Sequence, residues 1–227
     1  MTATATATDP QLRSWRGIPL EMRRAERREL LVDAALDLLG TQGGGAFTVR
    51  GVCQGARLNA RYFYESFDGL DALFVAVFDM LVGQALQQAL QALDEAGPDP
   101  TARALGVVES VVRYVTEDPR RARVLFVEGL GNEEVGRRRR DTLVATAELV
   151  ERYVWRQTGM GHDRMGMVAS LVLVGGFTEL VVTWLDGHLE MSLEDLMHDA
   201  AALMVAIGAG AVGVARGRRP GVAPARN

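Results

Sequence analysis

Two helix starts follow one another closely in the stretch TVRGVCQGARLNARYFYESF, residues 48–67, and they limit what this chain can fold into more than any other feature does. Thr48 can cap one helix, with Phe47 before the cap and Val52 at the fourth helical position forming a hydrophobic staple. Asn59 repeats the arrangement, with Leu58 before it and Phe63 four residues after it. Val52, Cys53 and Ala56 then face Phe63 and Phe67 across a short turn. This predicts two short helices packed at a steep angle, the helix-turn-helix pattern.

The remaining chain shows helical periods nearly throughout and no alternating run long enough to propose a sheet, so the expected fold class is all-α. A first helix is expected over 20–41, with Leu30, Leu31, Ala34, Ala35, Leu38 and Leu39 as one apolar stripe, ended by Gly43, Gly44 and Gly45. After the two short helices a long one is expected over 71–95, stopped by GPDP. Further helices are expected over 101–117, 119–130, 133–158, 163–185 and 192–209, where Asp118 and the stretch SLED supply starts. The expected organisation is a disordered tail over 1–18, a three-helix helix-turn-helix domain over 19–69, a larger helical domain over 70–210 and a disordered tail over 211–227.

The charge is uneven. Between Gln11 and Tyr64 nine arginines stand against Glu21, Glu26, Glu29, Asp33 and Asp37, although the whole chain carries −4. That end suits a polyanion. Every cationic side chain is arginine, whose fork matches phosphate and guanine; a genomic composition bias explains the missing lysine equally well. On a helix capped at Asn59, the first turn exposes Ala60, Arg61 and Tyr62 while Phe63 and Phe67 point inward. Arg61 could fork onto a guanine edge, Tyr62 could meet a thymine methyl or a phosphate, and Tyr64 has the reach for the backbone. Thr48 and Arg50 would hold phosphates beside them. A solvated helical corner, or an all-helical scaffold that binds no DNA, is the alternative reading of the same residues.

Enzyme chemistry finds little support. His162, His188 and His198 lack zinc-protease spacing, and neither a phosphate-binding glycine loop nor a G-x-S-x-G elbow is present. Cys53 is the lone cysteine, which excludes an intramolecular disulfide and a cysteine zinc cluster and suits a small core filler. No metal and no cofactor is expected. The N-terminal stretch has no basic segment followed by an apolar one, and the apolar run over 165–178 is interrupted by Glu179. The expectation is a cytoplasmic protein with no membrane partner.

Over residues 26–77 the segments AALDLLGTQG, TVRGV and RYFYESFDGLDAL resemble the DNA-binding domain of the tetracycline-repressor (TetR) family of transcriptional regulators. The resemblance implies a three-helix domain whose third helix enters the major groove of a double-stranded operator. It also implies a variable helical domain that binds a small-molecule effector and forms a homodimer. Thr48 and Tyr64 would be phosphate contacts, and Ala60, Arg61 and Tyr62 the base-reading turn. Two positions depart from the family's pattern: Leu70 stands where a lysine often opens the fourth helix, and Arg57 where the turn often has glycine.

In the second domain, residues 163–185 are apolar on nearly all faces, so neighbours must cover them everywhere. Leu193, Leu196, Met197, Ala200, Leu203, Met204 and Ile207 offer a seam for a four-helix interface between two copies, with Gly175 and Gly176 allowing close approach. Met80, Phe126, Trp155, Phe177 and Trp184 are either core or the lining of an apolar pocket; ligand-binding residues are left unassigned. RRRRD, from Arg137 to Asp141, reads as a solvated helix face bracketed by acids.

Overall fold

The computed structural model describes residues 20–129, 132–158 and 164–218, and among them every regular element is helical. The order is α1 Leu20–Gln42, α2 Val49–Gly55, α3 Ala60–Tyr64, α4 Leu70–Glu95, α5 Pro100–Glu117, α6 Pro119–Ala122 with a π turn Arg123–Val127 continuing it, α7 Glu133–Thr158, α8 Arg164–Leu185 and α9 Leu193–Arg218. The chain divides into two compact units, one ending at Val77 and the other starting at Phe78. The boundary falls inside α4 because the first turns of that helix complete the first core.

That first core collects Leu31, Ala35 and Leu39 of α1, Val52, Cys53 and Ala56 at α2, Phe63 and Phe67 at α3, and Leu73, Phe74 and Val77 of α4, all buried. Phe47 meets Phe74 edge-on at 6.1 Å between ring centroids. Burial pushes the Cys53 thiol up from its ordinary value, which keeps thiolate scarce and suits the filler role. The α1 stripe is narrower than its period implies: Leu30 is exposed and Val32 is buried instead. α1 ends where Gly43 takes a φ of 78° and donates its N–H to the Leu38 carbonyl. Gly51 lets α2 come close, since a Cβ there would lie 2.9 Å from the Ala46 carbonyl oxygen.

In the second unit α5 packs on α9, α7 on α8, and α8 on α9. Asp99 and Asp118 each accept a backbone N–H at a helix start opened by proline. Tyr114 is buried, donates its hydroxyl to Gln84 at 2.7 Å and lies under the Arg121 guanidinium at 4.2 Å.

The structure departs from four expectations. The helix expected over 119–130 leaves α geometry after Ala122, and the turn closes with the Glu128 N–H on the Arg123 carbonyl. Arg139, read as part of a solvated face, is half-buried and donates to the carbonyls of Val124 and Glu128 at that turn, while Arg138 pairs with Asp79 at 2.6 Å. α9 runs to Arg218 rather than stopping near 210, because Ala211 and Ala215 are buried and Met165 and Val212 pack on Ala215. Finally, of the seam residues expected to face a second copy, Leu196, Met197 and Ala200 are buried within the unit itself. Residues 1–19 and 219–227 lie outside the described residues, as does the side chain of Trp155.

α8 runs without interruption through Glu179, so the segment is longer than its apolar run implied. By length and composition α4, α8 and α9 are each long and apolar enough to cross a membrane. On α8, Gly166, Ala169, Ser170 and Val181 are buried within the unit, whereas Val168 and Val172 are exposed. On α9, Leu203 and Val214 are exposed.

Candidate nucleic-acid interface

α2 starts at Thr48, whose extended backbone (φ −125°, ψ 154°) lets its hydroxyl accept the Gly51 N–H at 3.0 Å. α3 starts at Asn59, whose side-chain oxygen accepts the Tyr62 N–H at 3.4 Å. Both expected caps are thus formed. Thr48, Arg50, Asn59, Ala60, Arg61 and Tyr64 are exposed, and Phe63 between them is fully buried. Burying one aromatic ring therefore fixes which side of a five-residue helix faces solvent.

Tyr62 departs from the fully exposed place expected of it. It is half-buried, with the Arg27 guanidinium of α1 4.4 Å from its ring centroid. Tyr64 stands 63% exposed with its ring edge-on to Phe63. Arg61 has 82% side-chain exposure, and its Nε donates to Glu65 Oε1 at 2.8 Å.

Glu65 is the residue that reading the sequence for function passed over. It closes α3, its carboxylate also lies 3.9 Å from Arg27, and its backbone oxygen accepts from Arg24 at 2.5 Å. The spacing of Arg61 and Glu65, one helical turn apart, was the available signal. The links to Arg24 and Arg27 had none, because they require knowing that α1 passes beside α3.

Between the two helices Arg57 has a φ of 54°, the left-handed region. Its N–H bonds the Gln54 carbonyl and the Leu58 N–H bonds the Cys53 carbonyl, the pattern of a Schellman cap. α8 ends on the same bonds, from Gly187 to Trp184 and from His188 to Thr183, with glycine at the left-handed position (φ 73°). A non-glycine residue is strained there by about 1 kcal/mol. Arg57→Gly is therefore expected to stabilise the chain by about that amount and to raise the melting temperature by roughly 2–4 °C. Thermal unfolding followed by circular dichroism checks this; a lower melting temperature would mean that the Arg57 side chain contributes more than its backbone costs.

No family model matches the chain, and no curated protein matches it. Solved structures do. A putative transcriptional regulator from Pseudomonas aeruginosa PAO1 superposes with a TM-score of 0.64 at 21% identity, covering 93% of this chain and 100% of that one. A putative TetR-family transcriptional regulator from Syntrophomonas wolfei gives 0.67 at 11% identity, over 82% of this chain and 96% of that one. The regulator FadR from Bacillus subtilis, in complex with stearoyl-CoA, gives 0.65 at 16% identity, over 78% of this chain and 97% of that one. The chain has the fold of TetR-like transcriptional regulators, all-helical and with an N-terminal helix-turn-helix.

Proposed function

From that shared fold we propose that this protein is a cytoplasmic, ligand-responsive transcriptional repressor that binds a pseudopalindromic DNA operator as a homodimer. The observation that carries the reading is the exposed face of α3. There an arginine with 82% side-chain exposure stands beside Ala60 on a helix oriented by a buried phenylalanine, with capped α2 supplying Thr48 and Arg50 next to it. A major groove admits such a helix, and Arg61 has the fork that suits guanine. Thr48, Arg50, Asn59 and Tyr64 would contact the phosphate backbone, and Ala60, Arg61 and Tyr62 the base edges.

The dimer is supported by what the second unit leaves uncovered. Val168 and Val172 are exposed on α8, followed after one more turn by Gly176, where a Cβ would meet nothing within 4 Å. On α9 the exposed residues Leu203, Ala206, Gly210 and Val214 recur at helical spacing. Apolar stripes of this kind are rarely left to solvent, and a second copy covering them would set two reading helices on paired half-sites. The interface is thus carried by Leu203 and these neighbours rather than by the whole seam read from the period of α9.

A small-molecule effector for the second unit is supported by the stearoyl-CoA complex of the similarly folded B. subtilis protein. Effector binding would favour a conformation in which the two reading helices have the wrong separation. The release of DNA can be no larger than the effector's differential affinity for the two states.

Fluorescence anisotropy with purified protein and DNA flanking its own gene tests the reading. Several phosphate contacts predict a steep loss of affinity with salt, and Arg61→Ala is expected to weaken specific binding by roughly 1–3 kcal/mol. Binding indifferent to both salt and Arg61 would leave an all-helical scaffold as the better description.

A further inference from the structure

We infer that Glu65 is a specificity-determining positioning residue: its carboxylate tethers Arg61 through Nε so that the two terminal guanidinium nitrogens meet one guanine edge together. The inference rests on the reading of α3 given above. An arginine standing 82% exposed ordinarily samples many rotamers. Here its Nε is occupied at 2.8 Å, whereas Nη1 and Nη2 have no hydrogen-bond partner among the described residues. Those two nitrogens are the ones that can reach guanine O6 and N7 end-on.

The tether works only if the carboxylate is itself held, and Glu65 is held at both ends. Arg24 takes its backbone oxygen, and Arg27 lies 3.9 Å from its side chain. Arg27 is only 20% exposed and lies over Tyr62, so it is anchored in turn. Glu65 is 35% exposed, well below the arginine that it positions. Rotational freedom already given up in the free protein is not lost again on binding, and this favours the one base that fits the fixed fork.

The cost falls on indiscriminate binding. A carboxylate beside a phosphate-facing helix repels any duplex, so Glu65 weakens contact with random DNA while sharpening contact with the correct one. A role confined to stability would change both affinities together.

The test uses the full-length protein and an operator duplex whose half-site guanines are replaced one at a time, with a random duplex alongside. The variants are Glu65→Gln, Glu65→Asp, Arg61→Ala and the double variant Arg61→Ala with Glu65→Gln. Glu65→Gln removes the charge but keeps an oxygen that can accept from Nε, and is expected to bind random duplex more tightly and to lose about twofold in discrimination at one guanine position, the worth of an exposed i,i+4 ion pair. Glu65→Asp keeps the charge that Arg27 needs but falls short of Arg61, and should lose the discrimination without the gain on random duplex. In the Arg61→Ala background Glu65→Gln should change discrimination no further, the outcome that a loss of folding would not give. Equal fold-changes on every duplex, with Arg61→Ala still losing one guanine, would overturn the tether while leaving α3 as the reading helix. If Arg61→Ala loses nothing, the reading of α3 falls and the tether with it.

Discussion

Val172→Glu is expected to turn the proposed homodimer into a folded monomer and to weaken operator binding by a hundredfold or more, on the order of the 10²–10⁴ that linking two binding sites contributes. Val172 is 55% exposed in the single chain, so a glutamate there meets water rather than the core of its own unit. Surface changes of that kind usually shift stability by about 0.5 kcal/mol or less. Across a two-fold interface the same substitution acts twice, with two carboxylates brought into an apolar contact. Sedimentation velocity gives the mass, and anisotropy the affinity. Gly176→Leu, where a Cβ now meets open space, is the companion change. A Val172→Glu protein that stays dimeric with unchanged affinity would place the interface elsewhere.

Phe63→Ala should have the largest effect on stability. The ring is fully buried at the meeting point of α2 and α3, in contact with Phe67 and Tyr64. Removing such a ring typically costs about 3–5 kcal/mol, a large share of the roughly 5–15 kcal/mol that holds a domain together. DNA binding should be lost with it, since the exposed side of α3 is set by the burial of this one side chain. Tyr64→Ala, one residue along and 63% exposed, is the control, expected to cost about 0.5 kcal/mol or less in stability. Urea unfolding monitored by circular dichroism compares the two. A loss below about 1 kcal/mol for Phe63→Ala would show that α3 is held by something other than its aromatic core.

What could be read from residues alone followed the range of the interactions involved. Thr48 and Asn59 were legible as caps because each bonds an N–H three residues on. Val52, Phe63 and Phe67 were legible as core because staple and helical spacing agree, and the structure buries all three. Glu65 was not, since its hold on α3 depends on Arg24 and Arg27, far back in α1. The phase of α9 was not legible for a different reason. A helix rich in alanine and apolar residues on most sides offers several stripes of equal period, and only packing on α5 and α8 decides that Leu196, Met197 and Ala200 turn inward. Its final turns were hidden because Ala211 and Ala215, the residues that bury them, stand among glycines and arginines.

Whether α3 reads sequence is measured most directly by presenting the purified protein with a pool of random duplexes and sequencing what it retains over successive rounds. The result expected is enrichment of two inverted half-sites about one helical turn apart, each with a guanine whose preference disappears for Arg61→Ala. Retention of duplexes with no sequence in common, unchanged by Arg61→Ala, would contradict it.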